Sequence, residues 1–436
     1  MYNITKLNQT LGYYRPAFFK LYIRSLNPIN LRTLTPNEMT TFIHEYTHFI
    51  QDFTTIKGLQ NIFNTFEWLS LYINATYSTR KLEIPINVNH PILDLNTHIS
   101  NSTWGSGFVL NQINTLSNIS IGNVNLPQEI LTKHPELSTL RVVSAIANLS
   151  NGVTKPLEIG TLGVMESMAH IAESLMGLRQ TTSPDYPYNI VRLMANTLCA
   201  SLNLSDDVLF AVCDIALQCS IPGAAVVEML QGFANGNNPV PRSGYDVYNT
   251  FNQDFSEWHN QNANCIVNLA KNHLLELVHP PIGLYFQAWV NNIISKAVMW
   301  RTSNPSFLLD MFNQHNFYTP IVNEVGTPLM VNAVDEYSKV PYRSYGNSPI
   351  TMDVEFFTAV DYIMNLFEYG DRRCPMQEWC SESGVPVDTN CTIDPPVRAN
   401  ITQYAELCPV GALWRSWNLR RYHLNKQHIF RPICRK

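Results

Sequence analysis

A helix declared by its own N-terminus constrains this 436-residue chain more than any other local feature. Thr35-Pro36-Asn37-Glu38 is a capping box, with Thr35 as N-cap, Pro36 at the first helical position where its missing N–H costs nothing, and Glu38 reaching back from the third. Behind it, Phe42, Tyr46, Phe49 and Phe53 recur at helical spacing, which predicts a helix over 35–56 with an aromatic face in the core and Gly58 as its stop. Turning about 100° per residue puts His44 and His48 on the opposite side. They belong to His44-Glu45-Tyr46-Thr47-His48, an H-E-x-x-H. Imidazoles one turn apart can share a Zn2+ at ~2.0–2.1 Å, while the adjacent Glu45 serves a water molecule as general base.

A catalytic zinc usually has three protein ligands. The residues after His48, FIQDFTTIKGLQ, carry no further histidine, so the third ligand must come from elsewhere. Residues 160–174 read as a second helix on which Glu166, His170 and Glu173 form a polar stripe, with Leu162, Met165, Ala169, Ala172 and Met176 on another. Three ionisable groups in an apolar helix are costly to bury unless they are paired or bind metal. Glu166 is the leading candidate, with His170 and Glu173 as alternative ligands. Without a metal, the same stripe lines a polar cavity, with Glu173 paired to Arg179 or another base. Asp52 and Gln51, within a turn of His48, are candidates to orient the histidines, or else exposed helix polars. Tyr342, Arg343 and Tyr345 are candidate oxyanion stabilisers, and an edge strand from 81–125 is a candidate cradle for an extended substrate.

The H-E-x-x-H helix followed by a glutamate on a second helix resembles the gluzincin branch of zinc metallopeptidases, and Glu166-Ser167-Met168-Ala169 is similar to the segment carrying their third ligand. The resemblance covers roughly forty residues. It implies one catalytic Zn2+ held by His44, His48 and Glu166, with Glu45 as base and a peptide or protein substrate. The 117-residue spacer from His48 to Glu166 is longer than in compact members of that branch. His170 stands where many of them place an aspartate that orients a ligand.

The rest of the chain is globular in composition. It is 45% apolar, with 20 Phe, 20 Tyr and 8 Trp, which excludes disorder for the bulk, and it is only 14% charged. Further helices are predicted over 59–77, 135–149, 161–179, 188–202, 205–220, 224–233, 265–278 and 284–300, and short strands or loops over 81–125. The expected fold is α+β and predominantly α-helical. It divides into a catalytic region 1–235, a helical extension 236–340 and a Cys-containing region 341–436. No secretory signal pattern and no transmembrane span are legible, which makes a cytoplasmic location the expectation. Oligomeric state is not legible.

Five of the nine cysteines, Cys374, Cys380, Cys391, Cys408 and Cys434, lie in the last 63 residues. They lack the C-x2-C pairs of a zinc ribbon. A second metal or an iron–sulfur cluster at Cys374, Cys380, Cys391 and Cys408 stands against the plainer reading of buried thiols or disulfides. Cys199, Cys213, Cys219 and Cys265 read as core. Residues 415–436 carry seven basic residues and no acid, leaving −12 on the remainder. With Trp414, Trp417, Tyr422 and Phe430 interleaved, this tail could contact nucleic acid or a protein partner, lie on an anionic membrane, or dock on the acidic body. The functional expectation is a zinc-dependent metallopeptidase. The alternative is a non-catalytic, metal-stabilised binding or regulatory protein acting through that tail.

Overall fold

The fold is taken from a computed structural model, which describes residues 11–25, 29, 31–77, 84–86, 99, 103–105, 113–124, 126–178, 183–251, 284–313, 326–332, 354–370, 374, 376–382, 384, 387, 391 and 408–419. Two short strands, β1 (Gly12–Arg15) and β2 (Lys20–Ile23), precede α1 (Pro36–Thr54) and α2 (Ile56–Tyr77). Next come β3 (Ile113–Asn123), α3 (Gln128–Lys133), β4 (Arg141–Leu149), β5 (Thr154–Ile159) and α4 (Thr161–Leu175). Then follow α5 (Ile190–Leu198), α6 (Asp206–Ala216), α7 (Pro222–Ala234), α8 (Leu284–Ser303), α9 (Phe307–Phe312), β6 (Leu329–Asn332), α10 (Val354–Tyr369), α11 (Gln377–Glu382) and α12 (Pro409–Ser416). The architecture is α+β and predominantly helical. One sheet has the order β1-β2-β6, with β1 antiparallel and β6 parallel to β2, and the other is the antiparallel set β3-β4-β5.

Helix α1 is the element the others are built on. The Thr35 hydroxyl accepts from Glu38 N–H and the Glu38 carboxylate accepts from Thr35 N–H, so the capping box is closed in both directions. Phe42, Tyr46, Phe49 and Phe53 are at most 1% exposed. Burying each such ring is worth roughly 1.5–3 kcal/mol, and Phe19 meets Phe49 edge-on at 6.1 Å to close the stripe against the first sheet. The opposite face of α1 packs on α4, and α2 and α8 flank it. A buried ion pair secures α8 to this centre. Arg301 grips Asp214 of α6 through two 2.6 Å bonds, and its Nε donates to Thr54 O, the last residue of α1. The Tyr248 hydroxyl adds a third bond to Asp214.

Two sequence expectations are corrected here. Gly58 does not stop α1. The helix ends at Thr54, Thr55 is extended, and α2 starts at Ile56 with Gly58 in its first turn. A Cβ at Gly58 would stand 2.2 Å from Gln51 O and 2.4 Å from Asp52 Cα, so glycine is what lets α2 leave directly across the last turn of α1. The predicted helix over 135–149 is instead a 3-10 turn, Pro135–Thr139, followed by β4. β4 pairs on both edges, with β3 and with β5, and its β-branched Val142, Val143 and Ile146 suit a pleated central strand better than the helical spacing they mimic. The predicted segment 265–278 lies outside the described residues, and β3 falls within the predicted 81–125 region.

Among the described residues no helix is long and apolar enough to cross a membrane. Cys199 and Cys213 are buried, as expected for core thiols. Trp414 and Trp417 are 0% and 2% exposed, so these two aromatics pack inside the fold and are not presented for stacking on nucleic acid. Tyr422, Phe430 and residues 420–436 lie outside the described residues.

Candidate metal centre

Helices α1 and α4 bring together three ligand atoms from the two segments singled out in the sequence. His44 Nε2 is 3.1 Å from Glu166 Oε2, His48 Nε2 is 3.6 Å from the same oxygen, and the two Nε2 atoms are 3.3 Å apart. A tetrahedral ion with ligands at ~2.0–2.1 Å spaces them roughly 3.3 Å from one another. Among the described residues this is the group of acidic, His and Cys side chains whose ligand atoms all lie within 4.8 Å of one another. His44, His48 and Glu166 are only 6–8% exposed.

Each ring also has a partner on its other nitrogen. His44 Nδ1 lies 2.7 Å from Glu173 Oε1 while its Nε2 faces Glu166, and although burial opposes it, hydrogen bonds to these two carboxylates hold the ring's proton affinity well above the usual histidine range. His48 Nδ1 lies 2.8 Å from Gln51 Oε1, and the Gln51 amide is oriented by its own Nε2 donating to Met165 O at 3.1 Å. Two imidazole Nε2 atoms and a carboxylate oxygen converge on one point. A cation bound there would displace the protons they share, and partners on the far ring nitrogens are the usual support of histidine ligands. Burial pushes Glu166 up, but His48 and His44 beside it pull it far below the usual carboxylate range.

The other expected residues have distinct places. Glu45 is 8% exposed beside the ligands. Burial lifts its carboxyl to about 7, although His44 and His48 and a hydrogen bond from the Tyr14 backbone N–H pull it down. Neither His170 nor Glu173 joins the ligand triangle. Glu173 orients His44, and its second oxygen stands 3.1 Å from His170 Nδ1. Arg179, the expected partner of Glu173, lies outside the described residues. Asp52 is buried, not exposed, but it faces the strand side, where Oδ2 accepts from Tyr14 O–H at 2.9 Å and Ala17 N–H at 2.7 Å. Of the two α1 residues weighed as partners for His48, Gln51 is the one that meets it. The strand bordering Glu45 is β1, outside the 81–125 region. Tyr342, Arg343 and Tyr345 lie outside the described residues.

Tyr188 is the residue that sequence reasoning passed over. It sits just ahead of α5, with its ring 5.5 Å from His44 and 5.8 Å from His170. Burial, then the charges of Glu166, Glu45 and Glu173, push its hydroxyl well above the ordinary tyrosine range, so it remains a proton-bearing donor at neutral pH. Nothing local marks it, because a tyrosine between a proline and an apolar helix reads as an anchor. Compared with known proteins, the chain matches no family model, no curated protein and no solved structure.

Proposed function

We propose that this chain is a zinc-dependent metallopeptidase with a gluzincin-like pair of helices. The observation that supports this reading is the triangle of His44 Nε2, His48 Nε2 and Glu166 Oε2, with edges of 3.1, 3.3 and 3.6 Å. Three protein ligands with an unligated glutamate beside them suit a catalytic centre better than a saturated structural one. Zinc, when bound, supplies a Lewis-acid charge for a carbonyl oxygen and lowers the pKa of a water towards ~7.

The chain's own residues do the rest of the work. Glu45 takes the proton from the attacking water and hands it to the leaving amine, a role suited to a carboxyl whose affinity for protons is raised by burial. With a metal at each Nε2, Glu173 and Gln51 would accept from the two Nδ1–H groups and so orient the imidazoles. To Tyr188, whose ring stands 5.5 Å from that of His44, we assign the hydrogen bond to negative charge developing on the carbonyl oxygen. Among the described strands β1 pairs only with β2, and its outer edge beside Glu45 suits an extended peptide laid alongside.

Metal analysis of the purified full-length chain, together with a Glu45→Gln variant assayed on a peptide mixture, tests the proposal. Zinc retained in both, with cleavage lost in the variant, is the expected result. A chain that binds no divalent metal, or a variant that cleaves as well as the original, overturns it. Metal held by both with no cleavage by either returns the choice to the metal-stabilised binding protein.

A further inference from the structure

The β1–β2 hairpin lies directly against the proposed base. A Cβ at Gly12 would stand 3.4 Å from Glu45 Cγ and 2.4 Å from Thr41 Cγ2, so glycine is what lets the strand come this close to α1. The hairpin's own bonding decides which main-chain groups face outward. Arg24 N–H donates to Leu11 O at 2.8 Å, and antiparallel partners alternate between bonded and unbonded pairs, so in the register Gly12↔Ile23, Tyr13↔Tyr22, Tyr14↔Leu21 it is Tyr13 that bonds β2. Gly12 and Tyr14 turn their N–H and C=O groups to the outer edge. There the Tyr14 N–H meets the Glu45 carboxylate.

The same tyrosine is held a second time, through its side chain. Its hydroxyl donates to Asp52 Oδ2 at 2.9 Å, and Ala17 N–H donates to that oxygen at 2.7 Å. Asp52 lies about two turns beyond Glu45 on α1, and so on the same face of the helix. A carboxylate only 1% exposed is costly unless it is bonded, and both of these donors come from the hairpin. The hairpin is costly in its turn. Ala17 has φ 63°, a left-handed conformation that a residue with a Cβ keeps only where its surroundings enforce it, and the bond from its N–H to Asp52 does so.

We propose that Tyr14 and Asp52 are positioning residues for Glu45. Asp52 anchors the hairpin from the core, and the anchored strand keeps the Tyr14 N–H on one carboxylate oxygen of the base, which leaves the other for the attacking water. The inference rests on the reading of Glu45 as general base and adds what holds that base in place. Asp52, weighed from the sequence as a partner for the histidines, acts on their neighbour instead.

The test compares the full chain with its Tyr14→Phe, Asp52→Leu and Asp52→Asn variants. In Tyr14→Phe and Asp52→Leu the turnover number should fall ~10–100-fold, the cost of a slightly misplaced catalytic group, with KM and zinc content unchanged. Asp52→Asn still offers an oxygen to both donors and should restore most of the loss. Full turnover in Tyr14→Phe, a change confined to KM, or an asparagine as damaging as leucine overturns the proposal. Amide hydrogen exchange supplies a readout that needs no turnover, so failure of the peptidase reading is told apart from failure of the clamp. The Tyr14 amide should exchange slowly although it lies on a sheet edge, and Glu45→Ala and Asp52→Leu should each speed it ~10-fold, as expected for one lost hydrogen bond. Protection that survives Glu45→Ala overturns the proposal. Should the variants fail to fold, the unmodified chain decides: a protected Tyr14 amide supports the clamp, and one that exchanges as in an unfolded chain overturns it.

Discussion

His44 Nδ1 and Glu173 Oε1 stand 2.7 Å apart, and the other oxygen of the same carboxylate reaches His170 Nδ1. One acid thus fixes a proposed ligand from behind while tying it to a second histidine on its own helix. The expected consequence of Glu173→Ala is a ~10–100-fold loss of zinc affinity, read by competition with a chromophoric chelator. Glu173→Gln, which can still offer an oxygen, should lose less. Equal affinity in all three proteins would show that His44 needs no such partner.

Tyr188 gives a kinetic prediction. Replacing it by phenylalanine keeps the ring on His44 and removes only the hydroxyl. The turnover number should fall ~10²–10³-fold, as when one oxyanion donor is lost, with zinc content and KM little changed. A change confined to KM would instead make Tyr188 a substrate-binding residue.

Arg301 and Asp214 are 1% and 0% exposed, so the pair carries its full desolvation cost and depends on both partners. Arg301→Met leaves a buried carboxylate whose remaining side-chain bond, among the described residues, is to Tyr248, and should destabilise the chain by ~3–5 kcal/mol. The paired change Arg301→Met with Asp214→Leu should recover much of that loss. Urea unfolding curves of the three proteins distinguish these outcomes.

Glu368, at the end of α10, has both carboxylate oxygens buried, and burial lifts it to about 7 while Arg15 and a hydrogen bond from the Tyr369 hydroxyl pull it partly back. Its folded pKa lies above the unfolded value of ~4.3, so between these two pH values the folded state holds the extra proton. Stability from this group is therefore present below ~4.3 and is lost as pH rises to about 7. Glu368→Gln should flatten that part of the stability profile, as followed by chemical denaturation from pH 5 to pH 8 at roughly unit steps. A slope unchanged in the variant would refute the assignment.

Where sequence signals were chemical as well as periodic, they located the elements closely. The capping box placed the start of α1, and the cost of burying three ionisable groups marked α4. The same argument did not allot roles within the stripe, because whether a carboxylate ligates or orients depends on a few ångströms between helices far apart in sequence. Gln51 and Asp52 show this well. They are adjacent, yet a step of about 100° turns one to His48 and the other to Tyr14 and Ala17. β4 was misread because Val-Val-Ser-Ala-Ile-Ala satisfies either period, and its pairing with β3 and β5 decided the matter. Tyr188 had no legible signature, since its importance comes from facing His44 across the fold.

His44 and Glu166 are 122 positions apart, and the whole β3-β4-β5 meander is threaded between them. During synthesis the ribosome releases the two imidazoles long before the acid that completes the proposed ligand set, so the set stays incomplete until α4 emerges and docks. Full-strength capture of an ion at this centre therefore reports tertiary assembly, and a fragment ending before α4 should titrate as a weak, two-coordinate binder.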